Sequence, residues 1–233
     1  MKYKNLIFLG TSHIAKQSLN EVSDYIEKEK PDIIAIELDN KRLPALMSQA
    51  RRKASLGSIR QIGLKGFVFS LIGEWAERKL GKLVGVSPGA EMKQAVKTAR
   101  KNSIRIALVD QDIELTLQRL SRMITWKEKL NFLIDIIKAM FAGNKDIEFD
   151  LTKVPSRRII KKMVAQLKER YPNVYKVLIE ERNEVIANNI KRLVDADSDK
   201  KILVILGAGH VDDVLEMIKK AKEPKITFSF NVG

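Results

Sequence analysis

Two stretches of the chain, Ile7-Phe-Leu-Gly-Thr-Ser-His-Ile14 and Ile205-Leu-Gly-Ala-Gly-His-Val211, repeat one short pattern: an apolar strand, Gly-x-x-His, and the start of a helix. The chain has only two histidines, and they occupy the same place in this pattern. The glycine allows a tight turn and a close approach. The histidine then falls on the first turn of the next helix, over the edge of a sheet. Pattern and position together predict one shared polar site containing His13 and His210.

Working outward, Lys4 to Leu9, Asp32 to Leu38, Ile104 to Val109, Ile202 to Leu206 and Ile226 to Phe230 read as buried strands. Helical periodicity (Ile14, Leu19, Val22, Ile26) follows the first of them. Strand and helix in alternation predict an α/β fold with a mostly parallel sheet flanked by helices. Residues 110–200 carry helical periodicity without a convincing strand, with helices expected at Leu115–Met140, Ser156–Arg170 and Val174–Val194. The expected organisation is a single domain over 1–233 with large helical insertions at about 43–98 and 113–198.

In open parallel sheets, ligands bind beyond the carboxyl ends of the strands. Thr11, Ser12 and His13 stand there after the first strand, and Glu37 and Asp39 at the second. Asp110 and Asp112 follow the third, and His210, Asp212 and Asp213 come after Ile202–Leu206. Two imidazoles and a carboxylate suit a divalent ion with open positions for water. The plain alternative is that these residues cap helices. The sequence has no Gly-x-Ser-x-Gly, Walker loop or His-Glu-x-x-His, and Ser12 adjoins His13 in sequence, which does not make a nucleophile–base pair.

Composition sets the outer bounds. Hydrophobic residues make up 45% and charged residues 31%, as in a globular chain. Cysteine is absent, which excludes disulfides and thiolate metal sites. Neither a signal peptide nor a spanning apolar stretch is visible. The formal charge is +14, concentrated at Arg51–Lys82 and Lys153–Arg170. Without a nucleic-acid motif or aromatic platforms, this balance argues against nucleic acid and toward an anionic membrane surface or a solvated basic face. Within the first basic run lies an apolar block, Leu64 to Trp75. It is too short to cross a bilayer. It could lie in the membrane interface, pack on the core or on a partner helix spanning Met123–Phe141, or form a homodimer.

Longer motifs add a family resemblance. Leu9-Gly-Thr-Ser-His13, Ile36-Glu-Leu-Asp-Asn-Lys-Arg42, Val84-Gly-Val-Ser-Pro-Gly-Ala-Glu-Met92 and Asp110-Gln-Asp-Ile-Glu-Leu-Thr-Leu-Gln-Arg119 run along most of the chain. With Glu181-Arg-Asn183 and Gly207-Ala-Gly-His210, they resemble the TraB/PrgY family, linked to shutdown of peptide pheromones. Gln111 departs from the family's usual arginine.

The resemblance implies an EreA/ChaN-like core and kinship with the TIKI metallopeptidases, which use paired Gly-x-x-His motifs and a glutamate. On that basis His13 and His210 are expected metal ligands, and Glu37 a ligand or catalytic base. Arg42, Glu91, Arg119 and Arg182 are matching polar positions with catalytic or structural roles. The implied cofactor is a divalent ion (Mn, Co or Zn) and the implied substrate a peptide. The alternatives are a non-catalytic domain that sequesters a peptide or metal, and a membrane-surface scaffold. Relatives with membrane-spanning helices after this domain imply a membrane-tethered full-length protein. This domain would then be soluble and on the cytoplasmic side.

Overall fold

The computed structural model describes residues 1–11, 16–48, 89–141 and 156–220. His13, the apolar block Leu64–Trp75 with its flanking cations, and the expected strand Ile226–Phe230 lie outside the described residues.

A five-stranded sheet forms the centre, in the order β1-β2-β5-β3-β4. The strands are β1 (Lys2–Tyr3), β2 (Leu6–Thr11), β3 (Ile33–Ile36), β4 (Arg105–Leu108) and β5 (Ile202–Gly207). All neighbours pair in parallel except the short β1, which folds back antiparallel on β2. Lys4, at a positive φ of 50°, makes the turn between them. The first strand therefore begins two residues later than Lys4 and reaches Thr11, carrying Gly10 into the ladder opposite Leu206.

Strands covered on both faces need apolar residues at every position, and the sheet divides them by parity. Leu6, Phe8, Ile33, Ala35, Ile202, Val204 and Leu206 form one core. It includes Ile186, Ala187 and Ile190 of helix α8 (Glu181–Ala196) and Val211, Val214, Leu215 and Ile218 of α9 (Val211–Lys220). The alternate residues Ile7, Leu9, Ile34, Ile36, Leu203 and Ile205 form the opposite core. There they meet Val22 and Ile26 of α1 (Lys16–Glu29) and Met92, Ala95, Val96 and Ala99 of α3 (Ala90–Lys101). The result is a helix–sheet–helix sandwich.

The short α2 (Arg42–Met47) and α3 lie between β3 and β4. From β4 to β5 run α4 (Ile113–Met123), α5 (Trp126–Phe141), α6 (Arg157–Arg170), α7 (Pro172–Tyr175), a π-helical turn at Lys176–Glu180, and α8. The helix expected at Leu115–Met140 is thus two helices. Ile124 turns extended, and Thr125 and Glu128 start the second one reciprocally. The Thr125 amide donates to Glu128 Oε2 at 2.9 Å, and the Glu128 amide to Thr125 Oγ1 at 3.3 Å. The helix expected at Val174–Val194 is likewise interrupted by the π turn, where the Glu181 amide reaches back to the Lys176 carbonyl. Among the described residues, no helix is long and apolar enough to cross a membrane.

Candidate functional site

At the carboxyl edge of the sheet the strands end in charge. Glu37 and Asp39 follow β3, Asp110 follows β4, and His210 follows β5. All four are buried. A buried charge is costly unless paired and hydrogen-bonded, and two arginines supply the pairing. Arg182, in the first turn of α8, donates from Nη2 to Glu37 Oε1 and to Asp110 Oδ2, both at 2.6 Å, and from Nε to Asp110 Oδ1 at 3.1 Å. Its Nη1 donates to the Leu178 carbonyl at 3.2 Å, inside the π turn. Arg42 donates from Nε to Asp39 Oδ2 at 2.6 Å, and its Nη2 reaches Asp110. Asp39 also accepts the Lys41 and Arg42 amides, starting α2.

These contacts set the charge states. Burial alone would push the Asp110 carboxyl up, but Arg182 and Arg42 outweigh it and hold Asp110 below the ordinary carboxylate range. Burial likewise disfavours the Arg42 and Arg182 guanidinium charges, and the surrounding carboxylates more than compensate, raising both. The second oxygen of Glu37 accepts the Gly207 amide of β5 at 2.6 Å. Adjacent parallel strands therefore lock the Glu37 side chain in place.

His210 is oriented from behind. Asn183, buried in α8, donates from Nδ2 to Asp213 Oδ2 at 3.3 Å, which turns its Oδ1 toward the imidazole. His210 Nδ1 lies 2.6 Å from that oxygen and so carries the proton. Nε2 lies on the other side of the ring, 3.6 Å from Glu37 Oε1. This is the second-layer arrangement found behind metal-bound imidazoles, in which the far nitrogen is tied to an oxygen. The separation exceeds a hydrogen bond, yet one ion with ligand bonds near 2 Å could touch both atoms. The donor types therefore fit a divalent ion. Among the described residues, no group of three His, Asp or Glu side chains converges as a complete ligand set. The expected third ligand, His13, is not among them.

Of the other expected positions, Glu91 is buried in the first turn of α3, after Gly89 at a φ of 75°. That helix runs back to the start of β4, which puts Glu91 at the same edge of the sheet. Arg119 does not join the cluster through its hydrogen bonds. It pairs with Glu181 at 2.6 and 3.2 Å on a solvent-exposed side of the fold. Asn183 stood in a family motif without a role; its position behind His210 is visible only once α8 is packed on β5. A cleft of about 290 Å³ adjoins this edge. Ile160, Val164 and Lys168 of α6 line it, facing Tyr175, Gly209 and Asp213. The turn that carries His210 is one of its walls.

These features define an open, mostly parallel α/β protein with a buried histidine–carboxylate–arginine cluster at its carboxyl edge. The chain belongs to the TraB/PrgY/gumN family, whose pattern it matches over residues 2–229. An uncharacterised protein of Methanocaldococcus jannaschii is 33% identical over 225 residues, which cover 93% of this chain and 54% of that protein. TraB domain-containing proteins of mouse and human are each 21% identical over 230 residues, covering 88% of this chain and 60% of theirs. The chain thus spans a little over half the length of these relatives.

Proposed function

We propose that this chain is a metal-dependent hydrolase acting on peptides, with His210, Glu37 and His13 holding one divalent ion. The observation that carries the reading is the His210 imidazole, tied through Nδ1 to Asn183 with Nε2 facing Glu37. A histidine used only as a cap has no need of a buried amide to select its tautomer. When bound, such an ion lowers the pKa of a coordinated water and polarises a carbonyl. The chain's own residues do the rest. Asn183 and Asp213 orient the imidazole, Gly207 and Arg182 fix Glu37, and Asp110 holds Arg182 and Arg42 in place beside them. The cleft beside Gly209 offers room for a substrate side chain.

A second reading has its own support. Both oxygens of Glu37 already accept hydrogen bonds, from Arg182 and from Gly207. The carboxylate is therefore satisfied without an ion, which suits a non-catalytic peptide-binding domain. Turnover of a broad peptide panel with Mn, Co or Zn supplied separates the two. A hydrolase loses activity to background in His13→Ala and His210→Ala with the fold intact. Glu37→Gln loses turnover more than metal if Glu37 is the base, and both if it is a ligand. Background turnover in the wild type and all variants, with peptide still bound, selects the binder.

A further inference from the structure

Helix α5 exposes an apolar face that nothing in the candidate site uses. Trp126 is 82% exposed, Leu130 58%, Leu133 54% and Ile134 37%. At about 100° per residue these four fall within a sector of roughly 100°. The charges of the same helix are sorted around that sector. Lys127 and Lys138 flank it on one side, and Lys129, whose ammonium lies 4.2 Å from the Trp126 ring centroid, flanks it on the other. The helix has two acidic residues, and both lie on the side away from that sector. Glu128 is buried and accepts the Asn173 amide at 2.7 Å. Asp135 is held by Arg170 and by the Tyr171 hydroxyl at 2.5 Å.

We propose that α5 docks on an anionic lipid surface, lying in the plane of the interface. An apolar sector rimmed by lysines, with a tryptophan at one end and both carboxylates hydrogen-bonded on the far side of the helix, is complementary to headgroup phosphates over acyl chains. Sixteen residues at helical rise span about 24 Å, enough for several headgroups along the plane. A second copy of the chain fits less well, because it would bring the same lysine rims together. The chain's net charge of +14 acts in the same direction.

The test is co-sedimentation of the 233-residue chain with vesicles of phosphatidylcholine alone or with one-third phosphatidylglycerol, at low and high salt. It is paired with tryptophan emission in a Trp75→Phe background, where Trp126 is the remaining tryptophan. The expected result is binding to the anionic vesicles at low salt, weakened by salt, with a blue shift of Trp126. Leu133→Glu should weaken binding at least tenfold. Replacing Lys127, Lys129 and Lys138 by Gln should weaken it roughly a hundredfold, since each basic residue near such a surface contributes about fivefold. All four positions are at the surface, so thermal melting should be unchanged. Failure to bind at low salt overturns the proposal, and so does binding that survives both variants or leaves Trp126 emission unmoved. A concentration-dependent dimer that Leu133→Glu dissolves, without vesicle binding, assigns the face to a second copy instead.

Discussion

Asp110 is the residue on which the charge cluster turns. Its carboxylate bridges Arg42 and Arg182 and is fully buried. Asp110→Asn keeps the shape and leaves two partly buried guanidinium groups short of an anion, which typically costs about 3–5 kcal/mol. Urea denaturation of the variant measures this; a loss below about 1 kcal/mol would mean that solvent already screens the cluster. The same residue links stability to pH. Its folded pKa lies below the unfolded value near 3.9, so its contribution is fully present above that value and disappears as pH falls through the folded one. Thermal melts between pH 5 and 2 should therefore fall more steeply for the wild type than for Asp110→Asn. Asn183 makes a complementary prediction. Asn183→Leu removes the acceptor of His210 Nδ1–H: metal affinity should drop about 10–100-fold, with a stability loss of about 1–3 kcal/mol from the buried N–H left unpaired.

At the scale of elements, the first Gly-x-x-His motif depends on close contact between segments distant in sequence. A Cβ added at Gly10 would lie 3.2 Å from Val211 Cγ2 and 3.3 Å from the Ala208 Cα, whereas one added at Gly209 would meet nothing within 4 Å. Gly10→Ala is therefore expected to cost about 1–3 kcal/mol by overpacking, and Gly209→Ala to leave stability nearly unchanged; paired denaturation curves check both. Both motifs and β2, β3 and β5 were legible because strands buried on both faces must be continuously apolar, and the half-buried edge strand β4 by its short apolar run, Ile106 to Val109. The break at Ile124 was not legible, because apolar periodicity continues across it from Leu120 to Leu130. What ends α4 is the Thr125–Glu128 capping pair, whose carboxylate also accepts the Asn173 amide 45 residues away. The π turn before Arg182 was hidden for a similar reason: one extra residue in a helical turn leaves no compositional mark, yet it hands Arg182 the Leu178 carbonyl. The two-residue β1 was too short to show any alternation.

For the molecule as a whole, the parallel sheet brings Glu37, Asp110 and His210 to one edge from positions up to 173 residues apart, and α8 closes that edge with Arg182 and Asn183. Sequence reading named Glu37, His210 and the arginines but not their wiring, because hydrogen-bond partners between a helix and three strands have no spacing in the chain. We propose that this edge, together with His13, holds one divalent ion. The most direct test is equilibrium dialysis with Mn, Co and Zn, read by elemental analysis, on the wild type and on His13→Ala and His210→Ala. Close to one ion per wild-type chain is expected for at least one of these metals, and loss of that ion in both variants while their far-ultraviolet circular dichroism is unchanged. No stoichiometric ion in the wild type, or an ion retained by both variants, would contradict the proposal.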